Sequence, residues 1–149
     1  MEKLRNRQGF TIIELLIVIA VISIIIGIAL PRFKGMQDEG NIAKAKGDLR
    51  TLQTAAESFF IHNNSTYPAT LAAMIAATPQ VVASIPDDPF AAAGTKYAYV
   101  LGGTNSKFYI ITSVGPGGNG SAVITANAVV ETNGSSCIFV SNMSQDTQP

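Results

Sequence analysis

The chain has 149 residues, of which 47% are hydrophobic and only 13% charged, against roughly 25% charged in an ordinary soluble domain. Ten Lys and Arg balance ten Asp and Glu, which removes any global electrostatic case for binding nucleic acid. One Cys and one His exclude an intramolecular disulfide framework and a His/Cys metal cluster.

The first element is short and basic. Residues 1–9 carry Lys3, Arg5 and Arg7 against Glu2. From Phe10 to Leu30 follow roughly 21 residues with a single charge, Glu14, enough to span a bilayer core of about 30 Å. In lipid such a run must be helical to satisfy its backbone. The basic flank places its N-terminus in the cytoplasm. Composition leaves three readings open: a cleaved secretory signal, a plain uncleaved anchor, and a membrane helix with a role of its own. The run exceeds the usual signal core of about 7–15 residues, and Pro31 sits just after the would-be cut at Gly27-Ile28-Ala29.

Glu14 decides between them. An ionisable group inside a membrane helix is costly and calls for a named partner. The next basic residue is Arg32, about 27 Å further along a helix. A cut between Gly9 and Phe10 would create a backbone amine four residues from Glu14. Arg7-Gln8-Gly9 followed by Phe10-Thr11-Ile12-Ile13-Glu14-Leu15-Leu16 resembles the prepilin leader shared by type IV pilins and type II secretion pseudopilins. The resemblance implies cleavage between Gly9 and Phe10 by a prepilin peptidase, N-methylation of Phe10, and control of filament assembly by Glu14. Methylation keeps the amine positive, and attraction to a carboxylate is strong in low dielectric. An unpaired charge is penalised there, so Glu14 reads as a register device between subunits.

Pro31 lacks the N–H that would bond the Gly27 carbonyl, so a kink is expected between Gly27 and Pro31, or a locally melted stretch. Periodicity then resumes. Ile42, Ala45, Leu49, Leu52, Ala56 and Phe59 form one apolar stripe at helical spacing. Lys44 and Asp48 stand at i,i+4 and are expected to pair. One helix is predicted from about Phe10 to about His62: residues 10–31 as the membrane and filament-core part, residues 32–62 amphipathic. His62-Asn63-Asn64-Ser65 reads as its stop, because Asn tolerates a left-handed cap. His62 is expected to be a helix-end residue near the C-terminal dipole.

Residues 63–149 are expected to form a head with a C-terminal tail. A short helix is predicted from Thr66-Tyr67-Pro68 to about Ala77, with Leu71, Met74 and Ile75 inward. The prolines make residues 85–90 a loop. Strands are expected at Lys96–Leu101 and Lys107–Ser113, joined at Gly102-Gly103-Thr104-Asn105, and further strands at Val123–Val130 and Cys137–Val140. A small antiparallel sheet over the helix stripe gives an α+β fold with a two-layer core.

Asp88-Pro89-Phe90, Tyr97-Ala98-Tyr99 and the run from Tyr109 to Gly118 resemble, in order, the major pseudopilin of type II secretion. The tail from Ala122 lies outside that likeness. Members of that family bind calcium in an acidic loop here, but Gly115–Gly120 has no carboxylate, and calcium prefers carboxylate oxygens. No cofactor is expected; backbone carbonyls with Asn119 and Asp87 or Asp88 leave at most a weak calcium site. Cys137 is expected to be a small buried apolar residue. The Gly-rich loop lacks the Gly-Lys-Ser/Thr of a phosphate cradle, and turn chemistry explains it. No catalytic constellation appears.

The reading is a pilin-like filament subunit that catalyses nothing: a secretion pseudopilin first, a surface type IV pilin second, a periplasmic binding module on an anchor third. Loss of Lys3, Arg5, Arg7 and Glu2 with the leader leaves seven basic and nine acidic side chains, a net charge of −2. The resemblance implies the peptidase, an inner-membrane platform, minor pilins and further copies of the chain as partners. It also implies the bacterial inner membrane as the precursor's location and a filament in the periplasm or at the cell surface afterwards.

Overall fold

The computed structural model describes residues 9–125, 128–132 and 137–143. They divide into two compact units, one up to Gln37 and one from Asp38 onward. The arrangement is α+β, as the sequence implied. Helix α1 (Ile12–His62) is a single element, and everything after it is short: α2 (Leu71–Ala76) and five strands.

In the first unit α1 is apolar all round. Every Ile, Leu and Val from Ile12 to Leu30 is at least 47% exposed, so nothing among the described residues covers them. Among the described residues α1 is the one helix long and apolar enough to cross a membrane. Its single hydroxyl in that stretch, on Ser23, donates to the Ile19 carbonyl at 2.7 Å, so it presents no unmet donor to lipid. The melted stretch expected near Pro31 is absent: residues 27–31 stay helical. Proline removes one hydrogen bond and fixes a φ that suits a helix. The turns on either side are long enough to carry the helix across that gap.

In the second unit the stripe is buried as predicted. Ala45, Leu49, Leu52 and Ala56 are fully covered, with Ile42 and Phe59 at its ends partly so. The cover is a three-stranded antiparallel sheet, β1 (Ala98–Gly102), β2 (Phe108–Ser113) and β5 (Ile138–Ser141), in the order β1-β2-β5. Period-two alternation sorts its side chains. Tyr99, Leu101, Tyr109, Ile111 and Ile138 join the helix-side core. Val100, Ile110 and Phe139 join a second cluster on the other face, with Ala122, Ile124, Val129 and Cys137.

That second cluster corrects two expectations. The run Val123–Val130 is not one strand but parts of two, β3 (Ser121–Thr125) and β4 (Ala128–Thr132), paired as a separate antiparallel ribbon. The core therefore has three layers instead of two: helix, sheet, ribbon. The packing is close. A Cβ on Gly102 would lie 3.2 Å from the Ile124 Cβ. A Cβ on Gly120 would lie 2.7 Å from both the Cys137 Cβ and the Val114 oxygen, closer than any side chain tolerates. The buried Cys137 is the apolar filler expected, and burial, followed by the Glu131 charge, raises its thiol above the usual range.

Smaller corrections concern the connections. The short helix begins at Leu71 instead of near Thr66, since Pro68 removes a donor there. Leu71 and Met74 point inward, but Ile75 is 36% exposed, because so short a helix offers the core one narrow edge. The turn between β1 and β2 includes one 3-10 turn, Thr104–Ser106. α1 ends as predicted: Asn64 and Ser65 take left-handed φ values of 51° and 55°, and the Ser65 N–H donates to the Phe60 carbonyl at 3.1 Å. The His62 ring contacts the Ser58 carbonyl at 2.8 Å, a helix-end role.

Candidate assembly and processing site

Gly9 and Phe10 precede the helix and have no regular structure. A Cβ at Gly9 would meet nothing within 4 Å, and Phe10 is 86% exposed. The junction is open to an approaching protease. Gly27 faces open space as well, and Pro31 lies inside α1; neither contacts the Gly9–Phe10 junction.

Glu14 sits in the first turn of α1, where a carboxylate is favoured by the helix dipole. Its Oε2 accepts the Thr11 N–H and the Thr11 hydroxyl, both at 2.9 Å. The Thr11 hydroxyl oxygen in turn accepts the Glu14 N–H at 3.2 Å. This is a reciprocal capping box, Thr-x-x-Glu. Its sequence signature is Thr11-Ile12-Ile13-Glu14 directly before an apolar run, a local signal that the need of Glu14 for a cation does not reveal. The carboxylate thus has neutral donors in the uncleaved chain. Thr11 satisfies one of its two oxygens, and Oε1 stays open to an amine.

The head holds its charged groups differently. Asp87 and Asp88 face opposite ways, as adjacent residues of an extended chain must. Asp87 is exposed and pairs with Lys96, whose ammonium also donates to the Ile85 carbonyl at 2.8 Å. Asp88 is buried and accepts from the Ser113 hydroxyl at 2.8 Å, the Val114 N–H at 2.9 Å and the Phe90 N–H at 3.0 Å. Both its oxygens are engaged with the protein. Among the described residues no group of three or more His, Cys, Asp and Glu could hold a metal.

Three of the four tyrosines of the chain donate to carboxylates on the second half of α1, and the fourth donates to the loop that follows it. Tyr109 and Tyr67 donate to Glu57 at 2.8 and 3.1 Å, Tyr97 to Asp48 at 2.9 Å, and Tyr99 to the Pro68 carbonyl at 2.7 Å. The expected Lys44–Asp48 pair is therefore replaced: Asp48 is turned toward Tyr97, whose buried phenol is the better partner. Burial is the first cause that raises all four phenols; the Glu57 charge adds to it at Tyr109 and Tyr67, and Asp48 at Tyr97.

Residues 4–30 match the prokaryotic N-terminal methylation motif. The type IV major pilin PilA of Myxococcus xanthus is 50% identical over 56 residues, 38% of this chain and 25% of that relative. The chain thus spans a quarter of that pilin's length. The type II secretion system core protein G of Pseudomonas aeruginosa is 27% identical over 118 residues, 70% of this chain and 80% of the relative. That of Pectobacterium carotovorum is 27% identical over 128 residues, 76% of this chain and 78% of the relative. No solved structure matches the chain. An open Gly9–Phe10 junction and a capped apolar helix thus carry the motif of proteins methylated at a new N-terminus. Within that class the chain is similar to type IV pilins over its N-terminal part and to type II secretion core protein G over most of its length.

Proposed function

We propose that the chain is the structural subunit of a type IV pilus-like filament, in the branch that forms the type II secretion pseudopilus. The observation that carries the reading is the uncovered apolar stretch of α1 headed by Glu14 and an accessible Gly9–Phe10 junction. A prepilin peptidase cuts there and methylates Phe10. The precursor waits in the inner membrane, its N-terminus cytoplasmic by the positive flank. An inner-membrane platform and minor pilins then draw it into a polymer. The apolar helices exchange lipid for one another by fit and dispersion, while the Phe10 amine of a neighbour meets the open oxygen of Glu14. The subunit itself catalyses no step.

Two features favour the pseudopilus. The core protein G relatives match across both helix and head, covering most of either chain. The PilA match, though closer, covers only 38% of this chain. That closeness makes a surface pilus, for adhesion, motility or DNA uptake, the second reading. A binding module on a plain anchor is the third.

Mass spectrometry of the membrane-extracted protein tests the filament reading. An N-methylated Phe10 at the mature N-terminus is expected; an intact Met1 on working protein overturns it. Glu14→Ala is expected to remain in the membrane at the wild-type level and to yield no filaments.

A further inference from the structure

Once the head has folded, Glu57 and Asp48 on the second half of α1 are taken by tyrosines, and among the described residues the one ion pair is Lys96–Asp87. Lys44 and Glu39 are both exposed, and neither has a partner among the described residues. Nor can their own helix supply one to Glu39. Positions three and four away on either side are Gly35, Met36, Ile42 and Ala43, and only those spacings bring side chains together. Glu39 and Lys44 cannot meet each other: five residues put them about 140° apart around the helix and about 7.5 Å apart along it.

Those same two numbers suit a second copy. Parallel helices packed side by side present opposite flanks to each other. Glu39 on one flank and Lys44 on the other are then complementary across the contact, provided the copies are offset by about five residues. Copies held in one membrane orientation are parallel. The contact joins different patches on the two copies, so it does not close and it propagates as a filament.

We infer that Glu39 of one subunit pairs with Lys44 of the next and sets the axial offset between their α1 helices. An exposed pair is weak alone, but it recurs at every subunit. The inference rests on the filament reading, and its test keeps the two apart. In cells that assemble the full chain, Glu39→Lys and Lys44→Glu are each expected to lower sheared filament about tenfold at unchanged membrane level. The exchange E39K/K44E is expected to restore it. A second variant, Glu39→Cys with Lys44→Cys, cannot bridge within one chain, because bridged Cα atoms lie no more than about 7 Å apart, and the native Cys137 is buried. Oxidised filaments of that variant are expected to run as a ladder of cross-linked multimers. Filaments that carry no ladder, single reversals that assemble like wild type, or an exchange that recovers nothing each overturn the pairing while the polymer stands. Wild-type protein that never polymerises overturns the filament reading, and the pairing falls with it.

Discussion

Asp88 is the residue on which the head's loops converge. It accepts one hydroxyl and two backbone N–H groups from two places in the chain, Phe90 and the adjacent Ser113 and Val114. Asp88→Ala would leave Ser113, itself fully buried, and the Val114 amide without acceptors, at a cost of about 2–4 kcal/mol. Thermal unfolding of the detergent-solubilised chain should show the loss, and Asp88→Asn, which keeps an acceptor, should lose less. Adjacent residues of an extended chain face opposite ways, which separates Asp87 from Asp88 but does not say which of them faces inward. That choice depends on Ser113 and Val114, some 25 positions on, and spacing cannot register a contact at that distance. Thr11 is the opposite case. Its tie to Glu14 is local, three residues apart, and legible in the string as a capping box, although the charge of Glu14 alone points to a cation and not to two neutral donors.

At the scale of elements, α1 was the most readable part of the fold. Its stripe repeats every three and four residues, and period alone identified the buried face. β1 and β2 were readable for a similar reason, since Tyr97, Tyr99 and Leu101 alternate. β3 and β4 were not. Nothing within Val123–Val130 breaks the apolar run except Asn127, so a hairpin looked like one strand. The polar bonds between α1 and the sheet lie outside any periodic pattern, and they predict how the head responds to alkali. Burial raises every tyrosine above the ordinary value of 10.0. Below about pH 10 the phenols are neutral in both folded and unfolded chains, and stability is unaffected. Above it the unfolded chain releases protons that the folded one retains, so stability falls as pH rises, by up to about 1.4 kcal/mol per pH unit for each tyrosine. Melting temperature is expected to hold steady to about pH 9.5 and then drop. Phenolate absorbance should appear together with unfolding; ionisation near pH 10 in a folded head would contradict this.

For the whole molecule, the leader and apolar run made the class readable, because a bilayer imposes length and charge rules that a folded core does not. The tail was least readable. Residues 137–143 lie outside the likeness to the major pseudopilin, yet they complete the sheet. β5 pairs along β2, Gln53 donates to the Ser141 carbonyl at 3.1 Å, and Asn142 bridges the Tyr109 N–H and the Lys107 carbonyl at 2.9 and 2.8 Å. A chain ending at Thr132 is therefore expected to insert in membranes but to be digested by periplasmic proteases, which the wild-type head resists. Position in the chain is also position in time. The ribosome releases the apolar run of α1 well before β5, the strand that completes the sheet. Until β5 has emerged the head is a thread that cannot close, although the most apolar part of the chain is already outside.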